Sequence, residues 1–124
     1  MKIGCGTDII KISRIEESIE KHGRDFIDKV YTDYEFNYCE SKQKIKFQHF
    51  AARFAAKEAI YKAISNFDET TEADFLDVEI INAVTGKPKV RFLNGLTYLN
   101  EYTMDLSISH CEEYAVATAV IVLG

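Results

Sequence analysis

The 124 residues are 47% hydrophobic and 28% charged, the proportions of one ordinary globular domain large enough to bury a core without disulfide or metal staples. The net charge of −5 is uneven: residues 1–62 carry 12 Lys/Arg against 10 Asp/Glu, and residues 63–124 carry 3 against 10. So slight a basic excess excludes a nucleic-acid binder, but a basic patch in the first half suits docking of an acidic protein partner. Cys5, Cys39 and Cys111 are odd in number and widely spaced, which argues against a disulfide framework or a zinc site and fits a reducing cytosol. No run has signal-peptide or membrane-span length, so a cytoplasmic protein without a membrane partner is expected.

Residues 2–10 alternate and carry β-branched side chains, predicting a strand that ends near Asp8. Ser13-Arg14-Ile15-Glu16 has the form of a capping box. Ile12, Ile15 and Ile19 continue at helical spacing to a stop at Gly23. A second box, Thr32-Asp33-Tyr34-Glu35, opens a short helix to about Glu40, and residues 41–46 form a loop. The longest helical pattern runs from about residue 45 to 65, favoured by six alanines. An acidic loop over 66–74 follows. Strands are expected over 78–83 and 89–93 around the Thr85-Gly86-Lys87-Pro88 turn, with a short helix over 96–102. A hairpin over 106–110 and 115–123 closes the chain. The order predicts an α+β fold: a small, mostly antiparallel sheet packed with one long helix and shorter ones.

Chemistry concentrates in three places. On the long helix, about 100° per residue puts Phe50, Phe54, Ile60, Tyr61 and Ile64 on one arc, the expected core face. Ala51, Ala55, Glu58 and Lys62 form a second stripe, where small residues beside an acid and a base leave room for something bulky. Glu58 and Lys62 alone read as a solvated i,i+4 ion pair. Arg53 and Lys57 fall within the apolar arc, so they either snorkel or are covered by a charged ligand or another subunit. The second place is Gly6-Thr7-Asp8: alone, Asp8 reads as a turn or cap residue. With Glu58 it gives magnesium two hard oxygen ligands, the remaining positions filled by a pyrophosphate and water. The third is Ser107-Ile108-Ser109-His110. Ser109 and His110 point to opposite faces of a strand and make no nucleophile–base pair, and a lone strand-end histidine is more often structural. Glu35 reads as the capping partner, not a catalytic acid.

Together Gly4-Cys-Gly-Thr-Asp8-Ile-Ile, Arg14-Ile15, Thr32-Asp-Tyr-Glu35, Arg53-Phe-Ala-Ala-Lys-Glu-Ala59 with Lys62, Gly86-Lys87-Pro88 and Ser107-Ile-Ser-His110 resemble the holo-acyl-carrier-protein synthase family. The likeness runs from near residue 3 to near residue 120 and implies a single phosphopantetheinyl transferase domain over 1–124. The implied reaction moves 4′-phosphopantetheine from coenzyme A to a serine of apo-acyl carrier protein, releasing adenosine 3′,5′-bisphosphate, in fatty acid biosynthesis. The resemblance implies magnesium held by Asp8 and Glu58, Glu58 as the base for the serine proton, and Lys62 stabilising the transferred phosphoryl group. It assigns Arg53, Lys57, Gly86, Lys87, Pro88 and His110 to the nucleotide end, and Arg14 and Arg24 to the carrier protein. It also implies a homotrimer with sites at subunit boundaries. One departure is the stretch after Lys62, Ala63-Ile-Ser-Asn-Phe-Asp-Glu-Thr-Thr, which has no glycine where the family has a glycine-rich turn. The competing readings are a non-catalytic coenzyme A- or carrier-protein-binding module on the same fold, and a trimeric scaffold without ligand. Mass gain on a carrier protein, or coenzyme A binding without transfer, separates them.

Overall fold

The computed structural model describes residues 1–123, so Gly124, the last residue of the expected domain, lies outside them. β1 (Lys2–Lys11) leads directly into α1 (Ile12–His22). Then come α2 (Arg24–Val30), α3 (Asp33–Glu40) and the long α4 (Lys46–Phe67). β2 (Val78–Asn82) and β3 (Pro88–Phe92) form a hairpin, and β4 (Thr103–His110) and β5 (Tyr114–Leu123) another. β1, β5 and β4 make an antiparallel sheet in that order, while β2 and β3 pair separately. The α+β expectation holds. No helix among the described residues is long and apolar enough to cross a membrane.

The pleat places Gly4, Gly6, Asp8 and Ile10 of β1 beside Ile121, Ala119, Ala117 and Ala115 of β5, all on the face toward α4. These small side chains let α4 press onto the sheet. A Cβ at Gly6 would lie 2.0 Å from the Ala59 carbonyl oxygen, so only glycine permits the approach. That contact sets where Asp8, two residues on, meets α4.

The opposite side of α4 packs on α1, α2 and α3, giving a second core cluster around Ile15, Ile27, Cys39 and Phe50. Because α4 is enclosed nearly all round, Ala51 and Ala55 are fully buried, and the stripe expected to leave space is occupied by the protein itself. Tyr61, placed on the core arc by the helical wheel, is instead 42% exposed.

The Thr32–Glu35 capping box forms with both of its hydrogen bonds, and Gly23 ends α1 at φ +54°. The Ser13 box does not form. α1 starts at Ile12, whose N–H donates to Glu113 O at 2.8 Å, so the β4–β5 turn supplies the partner a cap would have given. α2 was not foreseen, because Gly23 marks a stop and says nothing of an immediate restart. Residues 96–102 expected as a short helix are a 3₁₀ segment, Asn94–Glu101.

Candidate active site

Asp8 lies inside β1, not at its end, and its carboxylate reaches across to α4. Lys62 Nζ donates to Asp8 Oδ1 at 3.1 Å and to Thr7 O at 3.0 Å. The expected Glu58–Lys62 ion pair is absent among the described residues: Lys62 has turned to β1. Glu58, one turn earlier, makes no hydrogen bond there. Asp8 and Glu58 line one open cavity of about 450 Å³, together with Arg14, Ser18, Phe26 and Phe54. A smaller cavity of about 200 Å³, lined by Tyr61, Ala73, Phe75 and Val78, opens on another side of Glu58.

Partial burial raises the Glu58 pKa first, repulsion from Asp8 adds to this, and Lys62 partly offsets it. Two carboxylates that repel each other across an open cavity are suited to share a cation. No set of three or more His, Cys, Asp or Glu groups among the described residues could cage a metal. The donor set therefore fits a hard divalent ion that takes two protein oxygens and completes its shell from substrate and water. Here Asp8 and Glu58 would be the ligands.

A different face of α4 carries the basic residues. Arg53 is 4% exposed; its Nη2 donates to Asn82 Oδ1 at 2.7 Å, and its guanidinium lies 4.0 Å from the Tyr38 ring centre. Asn82 Nδ2 in turn donates to Gly86 O at 3.3 Å, tying the β2–β3 turn to the helix. Gly86 takes φ +90°, which that turn requires. His110, at the end of β4, faces His49 of α4 with ring centres 5.7 Å apart. Lys87 pairs with Asp105 at 2.9 Å, and with Pro88 it borders a separate cavity of about 200 Å³ walled by Phe92, Leu99 and Tyr102.

A family model described as the 4′-phosphopantetheinyl transferase superfamily matches residues 4–119. The chain belongs to that superfamily. A relative named holo-[acyl-carrier-protein] synthase, from Ruminiclostridium cellulolyticum, is 46% identical over 129 residues, covering 100% of this chain and 95% of its own. A solved holo-(acyl-carrier-protein) synthase from Bacillus anthracis, in complex with CoA (3′,5′-ADP), is 36% identical at a TM-score of 0.76, covering 95% of this chain and 94% of that one. A Chronobacterium ammoniagenes ACPS–CoA complex reaches a TM-score of 0.84 at 22% identity, covering 98% and 97%, a likeness of fold.

For a member of this superfamily, the structure brings together Asp8, Glu58, Lys62 and Arg14, residues far apart in the chain. It gathers Arg53, Gly86 and His110 on another side of α4, about 140° around the helix from Glu58. It does not bring the two groups into one cavity. Lys57, which the resemblance assigns to the nucleotide end, lies inside the core. Its Nζ donates to Val30 O at 2.5 Å and Phe75 O at 2.9 Å and pairs with Glu35 Oε1 at 2.6 Å, so all three N–H bonds are taken inside the core. It does not snorkel; Glu35 covers it within the chain. Arg24 does not line the cavity that Asp8 and Glu58 share; it pairs with Asp28 at 2.6 Å and stacks on Phe36. Sequence reasoning passed over His49, which has no motif around it; only its i,i+4 spacing from Arg53 pointed to a shared face.

Proposed function

We infer that this chain is a phosphopantetheinyl transferase, moving 4′-phosphopantetheine from coenzyme A to a serine of apo-acyl carrier protein and releasing adenosine 3′,5′-bisphosphate, a step of fatty acid biosynthesis. The observation that carries the reading is that Asp8 and Glu58, fifty residues apart, open onto one cavity with Arg14 at its edge. The names of the relatives, one of them in complex with CoA (3′,5′-ADP), support it.

The serine Oγ forms a new bond to the pantetheine-bearing phosphorus as the bond from that phosphorus to the bridging oxygen of the pyrophosphate breaks. The leaving nucleotide carries away the electron pair. Glu58, its pKa raised yet with no hydrogen bond to satisfy, takes the serine proton. Lys62, held between Thr7 O and Asp8, puts positive charge beside the transferred phosphoryl group. Asp8 and Glu58 would hold magnesium, which when bound would screen charge on the diphosphate and stabilise the leaving group. Arg14 steers the acidic carrier protein; Arg24 serves only after leaving Asp28.

The nucleotide end lies against Arg53, His110 and the Gly86-Lys87-Pro88 turn. Since that face looks away from Glu58, two copies complete one site, each giving one half to its neighbour. Support comes from the outer face of the three-stranded sheet, where Ile3, Ile9, Tyr114 and Val116 lie exposed. A homotrimer burying those faces gives the required boundary sites. Light scattering should return three times the chain mass, and a monomer of full activity would refute it. Free thiols at all three cysteines suit a cytoplasmic setting.

The direct test incubates apo-acyl carrier protein with coenzyme A, magnesium and this protein, then weighs the carrier protein. A gain of one phosphopantetheine per chain is expected. No gain with a competent carrier protein would overturn the reading, and coenzyme A binding without transfer would leave a binding module.

A further inference from the structure

Among the described residues Arg53 is a buried cation that forms no ion pair. The ion pairs among the described residues engage Arg24, Lys46, Lys57, Lys62, Lys87 and Arg91, and none reaches Arg53. Its Nε is enclosed and has no hydrogen-bond partner among the described residues. Buried charges are ordinarily paired, and stacking on Tyr38 with one bond to a neutral amide compensates only in part.

Three more basic groups surround it. Lys42 lies 4.7 Å from the Tyr38 ring centre, and the His49 ring sits edge-on to both Tyr38 and His110, 5.7 Å from each. Every element packed there presents a base or a phenol to His49: Tyr38 from α3, Lys42 from the turn after it, Arg53 from the next turn of α4, and His110 from β4. Glu40, the acidic residue at the end of α3, is taken by Lys46. Burial first, then Arg53, Lys42 and His110, lower the His49 pKa to about 4, and no carboxylate opposes them. At neutral pH the ring carries no charge.

We propose that His49 is a proton-linked binding residue for a phosphate monoester on the nucleotide, gaining a proton when that phosphate docks among Arg53, Lys42 and His110 and losing it when the phosphate leaves. This rests on the reading that this face takes the nucleotide end. A phosphate dianion supplies the anion Arg53 lacks. Its two negative charges also offset the positive field of Arg53 and Lys42 at His49, so the neighbours that helped to keep the ring neutral no longer oppose its protonation. The ring then adds a charge-assisted hydrogen bond available only with phosphate present. His49 thus helps to distinguish a nucleotide bearing the extra phosphate from one lacking it.

Calorimetric titration of the full chain with adenosine 3′,5′-bisphosphate between pH 8 and 6, in buffers of different ionisation enthalpy, reads the proton directly. For the wild type, affinity should rise as pH falls, approaching about tenfold per pH unit where one proton is taken up. His49→Phe keeps an aromatic edge against Tyr38 and His110 and should flatten that slope and lose the uptake. Proton exchange by the phosphate itself is common to both proteins and cancels in the comparison. Equal uptake in His49→Phe and wild type would overturn the proposal while leaving the nucleotide reading intact. Adenosine 5′-monophosphate binding as tightly as the bisphosphate would sink the nucleotide reading and the proposal with it. In the wild type, without any variant, the His49 ring resonance should titrate near 4 when free and well above that in the complex; an unmoved midpoint would equally refute the idea.

Discussion

Lys57 and Glu58 are neighbours in the chain, both ionisable, both on the one long helix, and their surroundings could hardly differ more. Lys57 is 2% exposed with every N–H donated, to two carbonyls and to Glu35. Glu35 itself is closed off by the Thr32 and Ile80 amides at 2.8 and 2.7 Å. Glu58 opens to two cavities, takes no hydrogen bond among the described residues, and is repelled by Asp8. A satisfied buried charge is a structural fastener, here joining α2, α3, α4 and the segment before β2. An unsatisfied, half-open one beside a like charge is free to take a ligand. Charge and burial alone do not separate function from structure; the census of partners does.

The contrast breaks most visibly in activity. Asp8→Ala or Glu58→Ala should cut transfer on the order of a thousandfold or more, the loss of about 4 kcal/mol of electrostatic stabilisation, with the far-UV spectrum unchanged. Single-turnover assays near wild-type rate in either variant would remove both residues from the chemistry. Lys57→Met should act on the fold. Leaving Glu35 buried without its cation costs about 3–5 kcal/mol, read as a drop in denaturant midpoint. Unchanged stability with lost nucleotide affinity would return Lys57 to the site.

A smaller effect sharpens the account of Glu58. Both roles proposed for it, metal ligand and base, need its deprotonated form, so activity should fall as pH drops through its raised pKa. Lys62 lowers that pKa, so in Lys62→Met the residual activity should lose its acid limb at higher pH than wild type. A limb that moves to lower pH would mean another group governs it. Stability runs the other way. The folded state holds this proton to higher pH than the unfolded chain does, so Glu58 costs stability once pH rises past its ordinary value near 4.5.

Much of this was legible beforehand where one residue's local chemistry decides. Thr32 and Glu35 satisfy each other's amides in any setting, and Gly23 tolerates a φ that stops a helix. Ser13 offered the same signal and failed, because a distant carbonyl at Glu113 reached the helix end first. Gly6-Thr7-Asp8 and Glu58 were legible as paired carboxylates, while the reason for Gly6, the Ala59 carbonyl against it, belongs to the packing. Helical arithmetic put Lys57 within the apolar arc, where it is indeed buried, but it ranks the faces of one helix and could not show that Glu35 of α3 would meet it there. His49 was invisible for the same reason: its neighbours come from α3 and β4.

The claim that Asp8 and Glu58 of one chain grip a single divalent ion has a decisive crystallographic test. Crystals grown with coenzyme A and Mn²⁺, collected at the manganese edge, should show one anomalous peak per chain, roughly 2.1 Å from an oxygen of each carboxylate. A peak touching only one of them, or lying elsewhere, would contradict it.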